Sequence, residues 1–218
     1  MPDSSTAKVD FLQGWCAVIL AFSISAIVLG VVFALHIIGD VPVSDLTRDA
    51  LAVAAKPPWF GFLSQAGIFF WGGAATICLF LWATANSLGS DRQLVRFGLC
   101  SALLTMLLWL YDAFMFHEFV FPLLFGLKEN MLFGGYAALL LTYLFYFRDV
   151  IRRTDIRLLV FSLLLFATSV LADKGILAGV NSEMLYLIED GGKFSGIVAW
   201  TGYFFVNTRV IVLTGKQS

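Results

Sequence analysis

The chain has 218 residues, of which 60% are apolar and 13% charged, with a formal net charge of −1 and a mean hydropathy of +0.88. Soluble domains are about half apolar and about a quarter charged, so this composition excludes a water-soluble fold. The charge balance, with no basic or acidic tract, argues against a nucleic-acid partner. The predicted surrounding of the chain is therefore a lipid bilayer.

Six apolar runs have the length of membrane-spanning helices, for which about 20 residues are needed. They cover residues 11–38, 58–85, 94–116, 131–147, 156–171 and 184–207. The sequence predicts an all-α fold, a six-transmembrane-helix bundle that forms a single integral membrane domain over residues 1–218.

The segment between the first two runs, residues 40–56, has apolar positions at helical spacing and a cap signal at Asp45. This pattern predicts a short amphipathic helix that lies along the membrane interface.

The Lys and Arg residues are unevenly divided between the two sides of the predicted bundle. The side that holds both termini carries nine of them, and the other side carries five together with ten of the 15 acidic residues. Positively charged loops stay in the cytoplasm, so both termini are predicted to be cytoplasmic. An even number of spans places the termini on one side as well.

Three charged residues share one predicted depth in the membrane. Asp112, Asp173 and Lys193 each lie 16 residues from the cytoplasmic arginine of their helix, which is about 24 Å at about 1.5 Å per residue. Such groups are costly in a bilayer and need a partner, water or a function. We predict that the third, fifth and sixth helices are neighbours around them, and that Asp112 and either Glu189 or Asp190 hold Lys193. These three are the candidate catalytic residues, and a purely structural ion-pair cluster is the alternative.

A second polar layer lies just above them, at the outer mouth of the predicted bundle. It contains one imidazole and several carboxylates, which are ligand types for divalent metals. The candidate metal ligands are His117, Glu118, Glu189 and Asp190, and a divalent metal ion is the cofactor that they would hold. The alternative for His117 and Glu118 is a pair solvated by water and lipid headgroups.

Three segments carry a family resemblance: WLYDAFMFHE at residues 109–118, SVLAD at 169–173 and EDGGKFSGIVAW at 189–200. They resemble blocks of small bacterial integral membrane proteins of unassigned function, which implies a multi-pass protein of the bacterial inner membrane. The chain is more weakly similar to the CREST membrane hydrolases, the group of alkaline ceramidases and adiponectin-receptor-like proteins. Those are seven-helix bundles with Asp and His zinc ligands, so this resemblance implies metal-dependent hydrolysis.

Two main functions follow from these observations. In one, the outward-facing polar site hydrolyses a lipid-like substrate or transfers a group from it, because such a site meets headgroups directly. In the other, the chain is a non-catalytic accessory subunit, and its partners are other membrane protein subunits as well as the bilayer. A proton-linked transporter is a third interpretation, although no inverted repeats are evident.

No P-loop, G-x-S-x-G or H-E-x-x-H pattern occurs, so nucleotide use, serine hydrolysis and zincin chemistry lack support.

Overall fold

The computed structural model describes residues 4–114, 129–175 and 181–215. These residues are helical and contain no strand, which confirms the predicted all-α class. The helices described are α1 Ser4–Gly39, α2 Val43–Thr47, α3 Ala50–Val53, α4 Phe62–Ser87, α5 Arg92–Ala113, α6 Glu129–Tyr146, α7 Arg148–Ile151, α8 Arg157–Asp173 and α9 Ser182–Gly215. They divide into two compact units, Met1–Phe60 and Gly61–Ser218. The single integral membrane domain over residues 1–218 stays a prediction.

The first unit consists of one long apolar helix and two very short ones. Residues 40–56, for which the sequence predicted one short interfacial helix, contain the two helices α2 and α3. Their place at a membrane interface stays a prediction. The chain is extended at Arg48, which ends α2, and Asp49 then caps α3 by accepting from the backbone N–H groups of Leu51 and Ala52. Asp45, the predicted cap, lies within the first turn of α2 instead.

Each of the six apolar runs falls on a helix, although three of these helices do not meet the length and hydropathy of a membrane span. Ala21–Gly39, Phe62–Ser87 and Arg92–Ala113 are long and apolar enough to cross a bilayer. The apolar part of α6 is shorter, and α8, with 17 residues, extends about 25 Å against a hydrocarbon core of about 30 Å. α9 has 34 residues, but its first half carries several charged side chains. The described residues therefore show three candidate spans rather than six.

The second unit is held together by one aromatic core. α9 packs along both α8 and α4, and α4 packs along α5. The largest side chains that are fully enclosed come from α5 and α9 and are Phe97, Trp200, Tyr203 and Phe204. Dense aromatic packing of this kind fixes the helices relative to each other, so polar groups on their facing sides have defined partners.

Glycines set the closest helix approaches in this unit. A Cβ atom on Gly98 would lie 2.8 Å from the backbone nitrogen of Trp82, and one on Gly196 would lie 2.8 Å from the ring of Phe166. Gly192 and Gly196 have the G-x-x-x-G spacing that is typical of close helix contacts, and both face residues of α8.

Candidate functional site

The centre of the candidate site is an ion pair between α5 and α9. Asp112 lies in the last turn of α5, and its carboxylate accepts a hydrogen bond from the ammonium group of Lys193. The Asp112 side chain is 6% exposed and the Lys193 side chain 40% exposed. The carboxylate therefore depends on the lysine to balance its charge, whereas the lysine side chain is still partly exposed at the surface of the protein. This contact between the third and sixth predicted spans is confirmed.

A small cavity opens beside this ion pair. Its volume is about 30 Å³, and its lining comes from α4, α5 and α9: Leu63, Ser64, Gly67, Asp112, Asp190, Lys193, Phe194 and Ile197. On this measure a water molecule needs about 10–15 Å³, so the cavity has room for water. Two carboxylates, one ammonium group and one hydroxyl group therefore surround a space that can hold water.

The other predicted charges lie around this centre but do not all join it. Asp173, at the end of α8, pairs with Lys174 at 2.9 Å. Glu189 lies within electrostatic range of Asp173, Asp190, Lys174 and Lys193. The predicted catalytic set is thus divided, because Asp112 and Lys193 meet while Asp173 has a lysine of its own. Among the residues that the structure describes, four acids and two lysines lie in this region, which is an excess of negative charge.

The predicted metal site is described only in part. Glu189 and Asp190 lie near the cavity, whereas His117 and Glu118 fall outside the described residues. Within residues 4–114, 129–175 and 181–215, no three His, Cys, Asp or Glu side chains come together in a way that would hold a metal ion. The described residues alone do not make up a metal centre, and the four-ligand site stays a prediction.

Deeper in the bundle, neutral polar side chains join the helices in pairs. The indole N–H of Trp200 donates to the hydroxyl of Thr105 at 3.1 Å, and the Ser101 and Tyr143 hydroxyls lie 2.6 Å apart. Ser162 donates to the carbonyl of Gly196 at 2.8 Å. Each bond satisfies a polar group in a core where an unpaired one is expensive.

Asn207 joins α9 to the loop between α7 and α8, at the end of the second unit away from the cavity. Its amide accepts from the backbone N–H of Asp155 at 3.0 Å and donates to the backbone carbonyl of Tyr203 at 2.9 Å. The Tyr203 hydroxyl lies 3.0 Å from that of Thr154. Asp155 also accepts hydrogen bonds from the side chain and the backbone of Arg157. These bonds lower the pKa of Asp155 from 3.8 to about 2.

Two buried indole N–H groups have no acceptor among the described residues. They are the Nε1 atoms of Trp71 on α4 and Trp109 on α5. Trp71 is one turn from Gly67, and Trp109 is three residues before Asp112, so both lie next to the positions that line the cavity. An unsatisfied buried donor costs about 1–3 kcal/mol.

The sequence analysis did not predict the buried polar contacts of Trp200 and Asn207, although the spacing of these residues along α9 gives a signal. Lys193, Trp200 and Asn207 recur at intervals of seven residues along α9, which places them on one helix face. A polar or amphipathic residue at every second turn of an apolar helix indicates a row of buried polar contacts along one face of that helix.

The chain belongs to the family described as Domain of unknown function (DUF8692), which matches residues 17–207. This match agrees with the expectation of an uncharacterised family. No curated protein and no solved structure matches the chain.

Proposed function

We propose that this protein is a six-span bacterial inner-membrane protein, with both termini in the cytoplasm, whose Asp112–Lys193 site acts on a lipid-like substrate by hydrolysis or group transfer. The observation that supports this best is a partly exposed ammonium group beside a cavity that has room for water and that two carboxylates line. Nearly all the apolar sequence would be used by six spans, and the uneven Lys and Arg distribution supports the orientation.

The residues at the cavity suit this chemistry. A water molecule there would have Asp112 and Asp190 as candidate proton acceptors. Lys193 is placed to stabilise the negative charge that develops when that water attacks a carbonyl or phosphoryl group. Ser64 supplies a hydroxyl group that can hold the water or a substrate oxygen.

Two arguments support a bound metal ion: the four predicted ligands at the outer mouth of the bundle, and the weaker resemblance to the CREST hydrolases. Glu189 and Asp190 would then bind it together with His117 and Glu118, and it would activate the water. Metal analysis of the purified protein tests this part: stoichiometric zinc, iron or calcium that is lost in His117→Ala would support it. Protein without bound metal that is still active would reject it.

The activity is tested by reconstituting the protein into liposomes of bacterial polar lipids and following the lipid composition by mass spectrometry. We expect a lipid class to be converted by the native protein and by Glu183→Gln, a control at the exposed start of α9. Conversion should be lost in Lys193→Met and Asp112→Asn. If no lipid class changes with the native protein, the enzymatic proposal is wrong.

The second candidate function is a non-catalytic accessory subunit. It is favoured by the neutral pairs at Thr105, Ser101 and Ser162, which all join helices. In that function, the Asp112–Lys193 pair would be one more contact that holds α5 against α9. Stable co-purification with a larger membrane complex, with dissociation in Lys193→Met, would support this function in place of the first.

A further inference from the structure

All the arginines described in the second unit lie at the end of the bundle opposite the Asp112–Lys193 site. They come from the start of α5, from α7 and the turn after it, from the start of α8 and from the last part of α9. This set, named here the arginine surface, consists of Arg92, Arg96, Arg148, Arg152, Arg153, Arg157 and Arg209. The two lysines described in this unit, Lys174 and Lys193, both lie at the other end.

Core contacts hold the segments of the arginine surface side by side. The ring centroid of Phe97, near the start of α5, lies 5.4 Å from that of Phe147, which precedes α7. Asn207 of α9 accepts a hydrogen bond from the backbone N–H of Asp155, before α8, at 3.0 Å. Each of these four residues is within two positions of an arginine. Arginines from separate parts of the chain are therefore brought to one end of the fold.

Most of these arginines have no carboxylate partner among the residues that the structure describes. Arg157 pairs with Asp155 at 2.5 Å, and Arg148 lies 3.8 Å from Asp149. The other five are exposed, and none of them forms an ion pair within the described ranges. Together with Asp91, the acids described at this end number three against seven arginines. The arginine surface thus carries an excess of four positive charges.

Helix stability does not explain where these arginines lie. Arg92 and Arg157 begin α5 and α8, and neither helix has an acidic residue in its first turn. A cation at a helix N-terminus is unfavourable because the macrodipole is positive there. The orientation of a membrane protein would be set by lysine as well as by arginine, yet only arginine is used here. The guanidinium group binds a phosphate through two parallel hydrogen bonds, which lysine cannot do.

Exposed apolar side chains lie next to the arginines. Phe145 precedes Arg148 by three residues, and the guanidinium carbon of Arg148 lies 4.6 Å from the centroid of its ring. Phe161 follows Arg157 by four residues, which places both on one face of α8, and it is exposed as well. A phosphate ion or an acidic peptide has no use for such neighbours. A ligand that joins a phosphate to acyl chains matches both features.

We propose that the arginine surface binds the phosphodiester headgroup of an anionic phospholipid from the leaflet that surrounds this end of the bundle. Arg152 and Arg153, which are adjacent, exposed and without a carboxylate partner among the described residues, hold the phosphate. Clusters of basic side chains beside membrane helices bind cardiolipin headgroups in this way. The site is distinct from the cavity, because Arg96 and Asp112 are 16 residues apart on α5, or about 24 Å.

Native mass spectrometry of the full chain in detergent tests the proposal, with cardiolipin in competition with zwitterionic phosphatidylethanolamine. The native protein should retain cardiolipin preferentially. Arg152→Gln with Arg153→Gln should weaken cardiolipin binding by about tenfold or more, because two charges that face the headgroup are lost. The matched control, Arg48→Gln with Lys56→Gln, removes the same charge from exposed positions of the first unit and should bind as the native protein does.

Two further comparisons establish the chemistry of the ligand. Arg152→Lys with Arg153→Lys keeps the charge but loses the two-point contact, so it should also bind cardiolipin more weakly than the native protein. Glycerol phosphate, which has no acyl chains, should bind far more weakly than cardiolipin. Equal affinity for both would assign the site to a free phosphate and overturn the lipid proposal. Polyglutamate that binds more tightly than cardiolipin, with the same dependence on the arginines, would assign the surface to an acidic protein instead.

Three results would also overturn the proposal: no preference of the native protein for cardiolipin, equal losses in the glutamine variant and its control, or native affinity in the lysine variant. If the glutamine variant does not fold, Arg92→Gln with Arg96→Gln removes two other charges of the arginine surface and tests the same loss. The assay measures binding alone, so its result does not depend on whether the Asp112–Lys193 site is catalytic.

Discussion

The Asp112–Lys193 pair shows how one buried charge depends on one partner. Asp112 is almost fully enclosed, whereas Lys193 retains 40% of its side-chain exposure. Loss of the lysine leaves a buried carboxylate, but loss of the aspartate leaves an ammonium group that reaches polar surroundings. Removal of Lys193 should therefore lower the stability of the fold more than removal of Asp112.

Lys193→Met should lower the free energy of unfolding by roughly 2–4 kcal/mol, because it strands the Asp112 carboxylate in the core. The double variant Asp112→Leu with Lys193→Met should recover most of this loss, since replacing both charges with apolar groups leaves none unpaired. Thermal unfolding in detergent measures both. A double variant that is as unstable as Lys193→Met would show that the pair is not a coupled unit.

Asp155 gives the second unit a dependence on acid pH. Its pKa is lowered from 3.8 to about 2 by the hydrogen bonds from Arg157, so the folded state favours the charged carboxylate. The stabilisation is fully present above the unfolded pKa and is lost as the pH falls from about 4 to about 2. We expect the apparent melting temperature of Asp155→Asn to change less over this interval than that of the native protein. Equal changes would mean that Asp155 does not contribute.

The helices of the second unit approach most closely where glycine allows it. Gly98 on α5 faces the backbone of Trp82 on α4, and a backbone cannot rotate away as a side chain can. The contact fixes the crossing of two helices that are both candidate spans. The position of Thr105 and Asp112, further along α5, depends on this crossing.

Gly98→Ala should therefore destabilise the protein by about 1–3 kcal/mol, because the added methyl group forces the two helices apart. Gly73→Ala is the matched control: it lies on α4, and a Cβ atom there meets nothing within 4 Å. Its melting temperature should stay at or slightly above the native value, since alanine is the better helix former. Equal losses in both variants would show that helix propensity, rather than the close contact, sets the effect.

The sequence predicted the helices and the Asp112–Lys193 contact, because both depend on local pattern and on depth along a helix. An apolar run in a bilayer has few alternatives to a helix, and two opposite charges at one depth attract each other strongly in a low dielectric. The partners of Thr105, Ser101 and Asn207 could not be predicted, since they depend on how each helix is rotated about its axis. The same rotation turns Asp173 to its own Lys174. The end of α2 depends on the extended conformation of Arg48, which no periodicity indicates.

The number of spans is the property of the whole molecule that determines where every polar group lies. The proposed six spans would place both termini in the cytoplasm and the cavity in the outer half of the membrane. Three spans alone, at Ala21–Gly39, Phe62–Ser87 and Arg92–Ala113, would leave the chain after α5 on one side. The two layouts differ most clearly for the ends of α8, because that helix crosses the membrane in one layout and not in the other.

Single cysteines at Arg152 and Ser182 distinguish the two layouts in a background where Cys16, Cys78 and Cys100 are replaced by serine or alanine. Arg152 precedes α8, and Ser182 begins α9 after the connection that follows α8. In the six-span layout, an impermeant maleimide labels Ser182→Cys in intact cells, and it labels Arg152→Cys only after permeabilisation, because the loop with the arginines stays in the cytoplasm. A cysteine beside Glu129 should behave as Ser182→Cys does. If Arg152→Cys and Ser182→Cys are labelled from the same side, α8 does not cross the bilayer, and the cavity at Asp112 and Lys193 does not face lipid headgroups of the outer leaflet.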